Sequence, residues 1–507
     1  MNIQKKLKSN LCSSSSELGL ISEKEKLSYN EIGSMVSYIL RIFQENSIVK
    51  GDYLGILIPR SIDQVVVVLA CIISGVVFIP LDSEYFYTRS ERILKMIDFK
   101  AIMTDKISDV PHKIISTNKI IMVEISRDFG TKDLYFPDFG VSKNDTAYIL
   151  FTSGTTSFPK GVEVTYRNLE NYLKWCMMEY GREKIDFSIM HGPISFDATI
   201  TSFLFPLVNK TTVKISTLFS ELDDLAEIMK NSSANCLFKI TPTHLSLLSR
   251  MGVTDSLNRN RHTFVIGGEQ LKISILLKWM ESFPYSTFFN EYGPTEATVG
   301  CIVKKLSLED IKRTGLISIG KPIPNVSAKI DLKIEESGTK RGELILSGTS
   351  ISKGYINKSE FESSPFVKVD NILYYKTGDL VELIDGEYYY LGRLKEEIKC
   401  NGYRVSVQEI DDEISKILTS IIFKTILYNG KIITFIESEI NKNKLRDQLS
   451  ALLPRYMIPQ KIITIDKIKV DKNGKIDNNY LKNYLKKSLT KYIKSYIIVL
   501  TKNERYK

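Results

Sequence analysis

Short β-branched runs alternate with longer amphipathic segments through most of this chain, and that alternation constrains the fold more than any other feature. "YLGILIP" reads as a strand and "SIDQVVVVLACII" as a helix; "VVFIPL", "YTRSERILKMIDF" and "AIMTD" repeat strand, helix, strand. The order recurs at "FSIMHGP", "TVKIS", "CLFKITP" and "HTFVIGGEQ", with helical segments such as "ELDDLAEIMKNSS" between them. Strands separated by helix-length segments need crossover connections, which predicts an α/β fold of mostly parallel sheets flanked by helices. After about Ile317 the texture changes to short strands joined by Gly- or Asp-containing turns, as in "AKIDLKIEESGTKRGELILSG" and "YYKTGDLVELIDGEYYYLGR". This predicts a small antiparallel β-unit. Beyond Arg393 the chain reads as strand "EIKCNGYRV", helix "SVQEIDDEISKILT", strands "FKTILYNG" and "KIITFIES", helix "NKNKLRDQLSALLP" and strand "KIITIDKI". That is enough for a small α+β domain. The expected layout is a large N-terminal core over 1–392, a small domain over 393–485 and a basic tail over 486–507.

The other bounds agree with a globular protein of more than one domain. A chain of 507 residues exceeds one small core. Its six cysteines lie far apart with no CxxC pair, so they read as reduced thiols and not as a disulfide or zinc framework. The net charge of +10 comes partly from "YLKNYLKKSLTKYIKSY" and the final "TKNERYK". This reads as a solvated basic helix, with no nucleic-acid partner expected. The apolar stretch Val65–Leu81 contains Ser74 and Gly75, which split it into a buried helix and a strand; a membrane span would need about 20 apolar residues. No secretory signal is visible, and a cytoplasmic location is expected.

Five segments carry candidate chemistry. In "YILFTSGTTSFPKGV" a strand is followed by Thr152, Ser153, Gly154, Thr155 and Thr156, then Lys160. Hydroxyls and free backbone N–H groups on one loop bind anionic oxygens, and the lysine adds a point charge. It is not the P-loop pattern GxxxxGK[ST], and taken alone such a stretch is more often an ordinary polar turn. "FFNEYGPTEATVG" offers Tyr292 as a ring for a nucleobase, then Thr295 and Glu296, a hydroxyl and a carboxylate suited to a phosphate oxygen and Mg²⁺. "YYKTGDL" places Asp379 just after a glycine, and "YYLGRLKEEIKCNGYRV" and "DKNGKID" complete the set.

In this order, over roughly residues 25–480, these motifs resemble the adenylate-forming superfamily. The nearest branch is the amino-acid adenylation domains of nonribosomal peptide synthetases, with the D-alanine–carrier-protein ligases close by. "LSYNEIG" fits the family's opening helix and "GELILSG" its strand before the ribose motif. The resemblance implies a two-step reaction using ATP and Mg²⁺. A carboxylate is first joined to AMP with loss of pyrophosphate; the mixed anhydride is then attacked by the phosphopantetheine thiol of a carrier protein. It implies that Thr152, Ser153, Gly154, Thr155, Thr156 and Lys160 manage the β- and γ-phosphates. Asn290, Tyr292, Gly293 and Thr295 would lie at the nucleotide, as would Tyr390. Glu296 would hold Mg²⁺, and Asp379 and Arg393 would position the ribose. Lys475 would contact the substrate carboxylate and the α-phosphate, so that Lys475, Thr156 and Glu296 carry the catalysis. The small domain would rotate between the steps at a hinge on Lys395, where peptide synthetase domains commonly carry aspartate. Asn401 replaces a common arginine.

The resemblance also implies the substrate. In the amino-acid-activating branch the aspartate of "SFDATITSF", here Asp197, binds the α-ammonium. A fatty or aryl acid has no ammonium to pair with it, which disfavours an acyl-CoA ligase. The other pocket positions are Ala198, Thr201, Lys239, Val265, Gly267, Glu291, Val299 and Gly300. Lys239 and Glu291 suit a side-chain amide, whose oxygen accepts from the lysine and whose NH₂ donates to the glutamate. The set resembles that of asparagine-activating domains, with Ala198 where leucine is usual. The alternative is a wall salt bridge that reads no substrate. The expectation is an asparagine-activating ligase serving a separate carrier protein, since about 30 residues follow "NGKID". The rivals are a D-alanine–carrier ligase, an acyl-CoA ligase and a silent scaffold of the same fold.

Overall fold

The computed structural model describes residues 1–13, 16–81, 91–106, 119–122, 124–125, 127, 134–152, 159–216, 221–309, 317–336, 339–356, 364–394, 397–400, 403–418, 421–469 and 480–485. They form two compact units, the first over 1–152 and 159–395, the second from residue 396 onward.

The first unit contains two large sheets. In one, the strands Ile120–Met122, Ala101–Thr104, Tyr53–Leu57, Val77–Pro80 and Thr146–Thr152 run parallel, and Lys160–Thr165 closes the edge antiparallel. The other has nine strands. Its parallel centre is Thr287–Tyr292, Thr263–Gly267, Cys236–Ile240, Phe187–Met190, Thr212–Ile215 and Leu18–Ile21 in that order. One apolar core joins the sheets, drawing Leu54, Ile56 and Ala101 from the first and Met190, Val213 and Val265 from the second. The helix Ile62–Ser74 is buried at every position except Asp63. A helix apolar all round has no solvent face to offer and belongs inside such a core.

Local signals explain the helices that frame the site. Ser28 and Glu31 cap the helix Tyr29–Glu45 reciprocally, Ser28 Oγ accepting from Glu31 N–H and Glu31 Oε2 accepting from Ser28 N–H at 2.7 Å. Thr165 and Asn168 do the same for Tyr166–Glu179. Asn168 also donates to the carbonyls of Thr349 and Ile351, at 2.6 and 2.9 Å. That fixes the helix carrying Tyr172 against the segment leading into Tyr355. The strands Val326–Glu336, Thr339–Gly348, Phe366–Val369, Ile372–Ile384 and Glu387–Arg393 make the antiparallel β-unit expected after Ile317.

The second unit has a three-stranded sheet of Phe423–Tyr428, Lys431–Ile436 and Lys461–Thr464, with helices Val407–Ile417 and Lys442–Ser450. Two sequence expectations need correction. The single strand expected over "EIKCNGYRV" is a pair, Glu397–Cys400 and Tyr403–Ser406, with Cys400 opposite Tyr403. The dipeptide between them is Asn-Gly, the strongest short-range hairpin signal. At the other end, "MNIQKKLKSNL" carries an unforeseen helix, Ile3–Leu11, with Ile3, Leu7 and Leu11 buried. Among the described residues no helix is long and apolar enough to cross a membrane.

Candidate active site

Three adjacent parallel strands bring Lys239, Val265, Gly267 and Glu291 together at their C-terminal ends, where open α/β sheets present ligands. The register sets Lys239 beside Val265 and Gly267 beside Glu291. Lys239 Nζ donates directly to Glu291 Oε1. Glu291 Oε2 accepts from Tyr180 O–H at 2.5 Å and from Tyr172 O–H at 3.1 Å. Tyr172 in turn meets Thr201 Oγ1 at 2.5 Å. The side chains of Lys239 and Glu291 are 8 % and 1 % exposed, so this is a buried ion pair with its own hydroxyl shell. Burial, then the Glu291 charge, pushes the Tyr180 hydroxyl well above its ordinary pKa and keeps it a donor.

The glycines of the segment are required by this arrangement. A Cβ on Gly300 would lie 2.3 Å from Glu291 Cδ, and one on Gly267 would lie 2.6 Å from Glu291 O and 3.4 Å from Lys239 Nζ. Thr298 and Val299, both β-branched, have φ of +58° and +65°, a region such residues rarely occupy. The turn is held by Thr298 Oγ1, which donates to Ser350 O at 2.7 Å. Asp197 immediately precedes the helix Ala198–Val208. Its charge is felt at Tyr148, whose hydroxyl is pushed well above its ordinary pKa by burial and then by Asp197.

A second group joins the same strand to the antiparallel β-unit. Tyr292 O–H donates to Asp379 Oδ2 at 2.5 Å, and Arg393 Nε meets Asp379 Oδ1 at 2.8 Å. Asp379 and Arg393 face each other across the pair Ile372–Ile384 and Glu387–Arg393. The Tyr292 and Tyr390 rings are 6.3 Å apart. Asn290 is committed elsewhere: its amide donates to Ser318 O at 2.9 Å, which ties the strand to the next segment. Gly293 and Thr295 follow, Thr295 opening the turn Thr295–Ala297.

Glu296 is wholly buried, and its Oε1 accepts from Tyr355 O–H at 2.7 Å. Lys160 Nζ lies 5.2 Å from the centre of the same Tyr355 ring. Lys160 and Thr152 are cross-strand partners, so Thr152 belongs to the strand and not to the loop expected after Phe151. The strand extends one residue further because Lys160 is there to pair. Thr152 Oγ1 is buried and has no hydrogen-bond partner among the described residues. Ser153, Gly154, Thr155, Thr156, Lys395 and Lys475 lie outside the described residues.

Sequence reasoning missed Tyr172 and Tyr180. Tyr172 lies on the helix Tyr166–Glu179 and Tyr180 directly follows it, and both are buried tyrosines of one segment. It also missed a cluster of His191, Glu221 and His244, three residues scattered over separate elements.

A family model described as AMP-binding enzyme matches residues 14–356. The chain is 29 % identical over 476 residues to bacitracin synthase 3 of Bacillus licheniformis, covering 90 % of this chain but only 7 % of that protein. It is 28 % identical over 454 residues to a D-alanine--D-alanyl carrier protein ligase of Bacillus cytotoxicus, covering 83 % of this chain and 86 % of that one. In structure it is similar to the Vibrio cholerae adenylation domain AlmE, solved with glycyl-adenosine-5'-phosphate, at TM-score 0.78 and 18 % identity, covering 96 % and 98 % of the two chains. That likeness is one of fold. With the family model spanning well over half of its length, the chain belongs to the AMP-binding enzyme family.

Proposed function

We propose that this protein activates an amino acid as its adenylate, with release of pyrophosphate, and transfers it to the phosphopantetheine thiol of a separate carrier protein. The observation that carries this reading is the placement of two groups along one strand. Glu291 belongs to the buried pocket pair, and Tyr292, the next residue, is bonded to Asp379. A side-chain pocket and a nucleotide site built on consecutive residues would hold two reactants in fixed relation, which is where most of the rate of such a reaction arises.

In this proposal Asp379, steadied by Tyr292 and Arg393, accepts from the ribose hydroxyls, with Tyr390 beside the base. Lys160 offsets the charge of the phosphates that leave. The family resemblance assigns Lys475 to the substrate carboxylate and α-phosphate. The Glu296 carboxylate, buried and oriented by Tyr355, is a hard oxygen donor that fits Mg²⁺. Bound there, Mg²⁺ would offset negative charge developing on the phosphate oxygens. Asp197 takes the α-ammonium. The name of one relative, the D-alanine--D-alanyl carrier protein ligase, includes a carrier protein, and an artificially fused adenylation–PCP protein from Klebsiella oxytoca shares the fold.

For the side chain we propose asparagine. Glu291 offers about four lone-pair sites; one on Oε1 is taken by Lys239 and those on Oε2 by Tyr172 and Tyr180. One acceptor site remains, and Lys239 Nζ has no other partner among the described residues. One acceptor beside unused donors matches a carboxamide, whereas a carboxylate would meet Glu291 with like charge. The direct Lys239–Glu291 contact also favours a second reading, alanine or D-alanine, because the two charges are already satisfied without a polar substrate.

Amino-acid-dependent ATP–pyrophosphate exchange across L- and D-amino acids separates these. Exchange strongest with asparagine supports the proposal. Exchange with alanine or D-alanine alone replaces the side-chain reading while keeping the activity. No exchange with any acid points to a silent scaffold.

A further inference from the structure

Outside the residues discussed above, two imidazoles converge on one carboxylate oxygen. His191 Nδ1 is 2.9 Å from Glu221 Oε1, and His244 Nε2 is 3.3 Å from the same atom. The three donor atoms all lie within 4.8 Å of one another. Zinc–ligand bonds of about 2.0–2.2 Å in tetrahedral array give donor separations of roughly 3.3 Å, so these spacings suit one metal ion between them.

The second contacts set the ring orientations. His191 Nε2 lies 2.7 Å from Lys239 O and can only donate to it, which leaves Nδ1 of the neutral ring with its lone pair aimed at Glu221. His244 Nδ1 lies 2.7 Å from Thr241 Oγ1, which can accept from it and leave the Nε2 lone pair on the cluster. Metal-bound histidines commonly donate their other N–H to a backbone carbonyl or similar acceptor in this way. Lone pairs facing a carboxylate repel it unless a proton or a metal cation stands between, and the spacing of three donors around one point suits the metal. Arg60 Nη1 reaches the other oxygen, Glu221 Oε2, at 3.8 Å and leaves Oε1 to the imidazoles. His191 is buried, while the Glu221 and His244 side chains are 30 % and 23 % exposed, which gives an entry path.

We propose that His191 Nδ1, His244 Nε2 and Glu221 Oε1 form a site for a divalent transition metal of the zinc type. Two imidazoles and one carboxylate select against Mg²⁺, which prefers oxygen ligands. Through His191 the ion would hold the backbone of Lys239, so occupancy bears on the strand that presents the pocket lysine.

The full chain, freed of metal with a chelator and kept without nucleotide, is titrated with Zn²⁺ in competition with a chromophoric chelator. Co²⁺ is used as a spectroscopic substitute. One saturable equivalent is expected, unaffected by excess Mg²⁺, with the intense visible bands of four-coordinate Co²⁺. His244→Gln and Glu221→Gln should each weaken binding by at least about tenfold, their folding verified by melting curves. Absence of a saturable equivalent in the unaltered chain overturns the proposal, leaving an imidazolium–carboxylate pair only. Binding that is unchanged in whichever of the two variants folds also overturns it, because the ion then sits elsewhere.

Discussion

Replacing one partner of the Lys239–Glu291 pair should cost far more than replacing both. At a contact of about 3 Å and an effective dielectric constant near 20, the gross attraction is roughly 5–6 kcal/mol. Burying both charges costs about as much, so the intact pair contributes little net stability. Lys239→Met leaves a buried carboxylate with only Tyr172 and Tyr180 as donors; Glu291→Gln leaves a buried ammonium with a neutral partner. Each single variant should lose about 3–5 kcal/mol, and the double variant should lie within about 1 kcal/mol of the original chain. The chain has two tryptophans, Trp175 and Trp279, and both belong to the first unit. Urea unfolding followed by their fluorescence therefore reads the unit that contains the pair. Additive losses below about 1 kcal/mol in each single variant would refute the reasoning, since neither ion would then be desolvated.

Two further outcomes follow from the same packing. Gly300→Ala would press a methyl against a Glu291 carboxylate that Lys239 and two tyrosines hold in place. It should cost about 1–3 kcal/mol and raise the KM for the amino acid while leaving that for ATP near its original value; equal changes in both would sink this reading. Burial lowers the pKa of His262 to about 4, and its Nδ1 accepts from Cys236 N–H at 3.1 Å. The unfolded chain, with a histidine near 6.5, therefore binds the proton first. Stability from this group is whole above pH 6.5 and falls toward pH 4, by up to about 3 kcal/mol. The melting midpoint of His262→Asn should lack that part of the acid slope; an unaltered slope would assign it to other groups.

The strand and helix order was legible because short β-branched runs alternate with helix-length segments, as from "YLGILIP" to "SIDQVVVVLACII". The helix Ile3–Leu11 was not, because its stripe is three residues, Ile3, Leu7 and Leu11, set among lysines. Tyr292, Asp379 and Arg393, which meet in the structure, each stood out in the sequence within a contiguous motif beside a glycine. Partners supplied from a distance were hidden. Tyr355 lies 59 residues from Glu296, and Tyr180 lies 111 from Glu291. Nothing local to either carboxylate announces the hydroxyl that holds it. Asn290 likewise has a partner that its motif does not announce, donating its amide N–H to Ser318 O.

The turn at Thr298 and Val299 limits how this protein can be altered. It joins Glu296 to Val299 and Gly300 within five residues, and Gly293 passes so close that a Cβ there would lie 2.2 Å from Val299 O. A change that moves this turn to admit a different side chain also moves Glu296. In the proposed pocket Ala198 opens the helix Ala198–Val208, apart from this turn, so specificity is better redirected there than at Val299 or Gly300. There a helix can exchange one side chain for another without carrying the Glu296 carboxylate along.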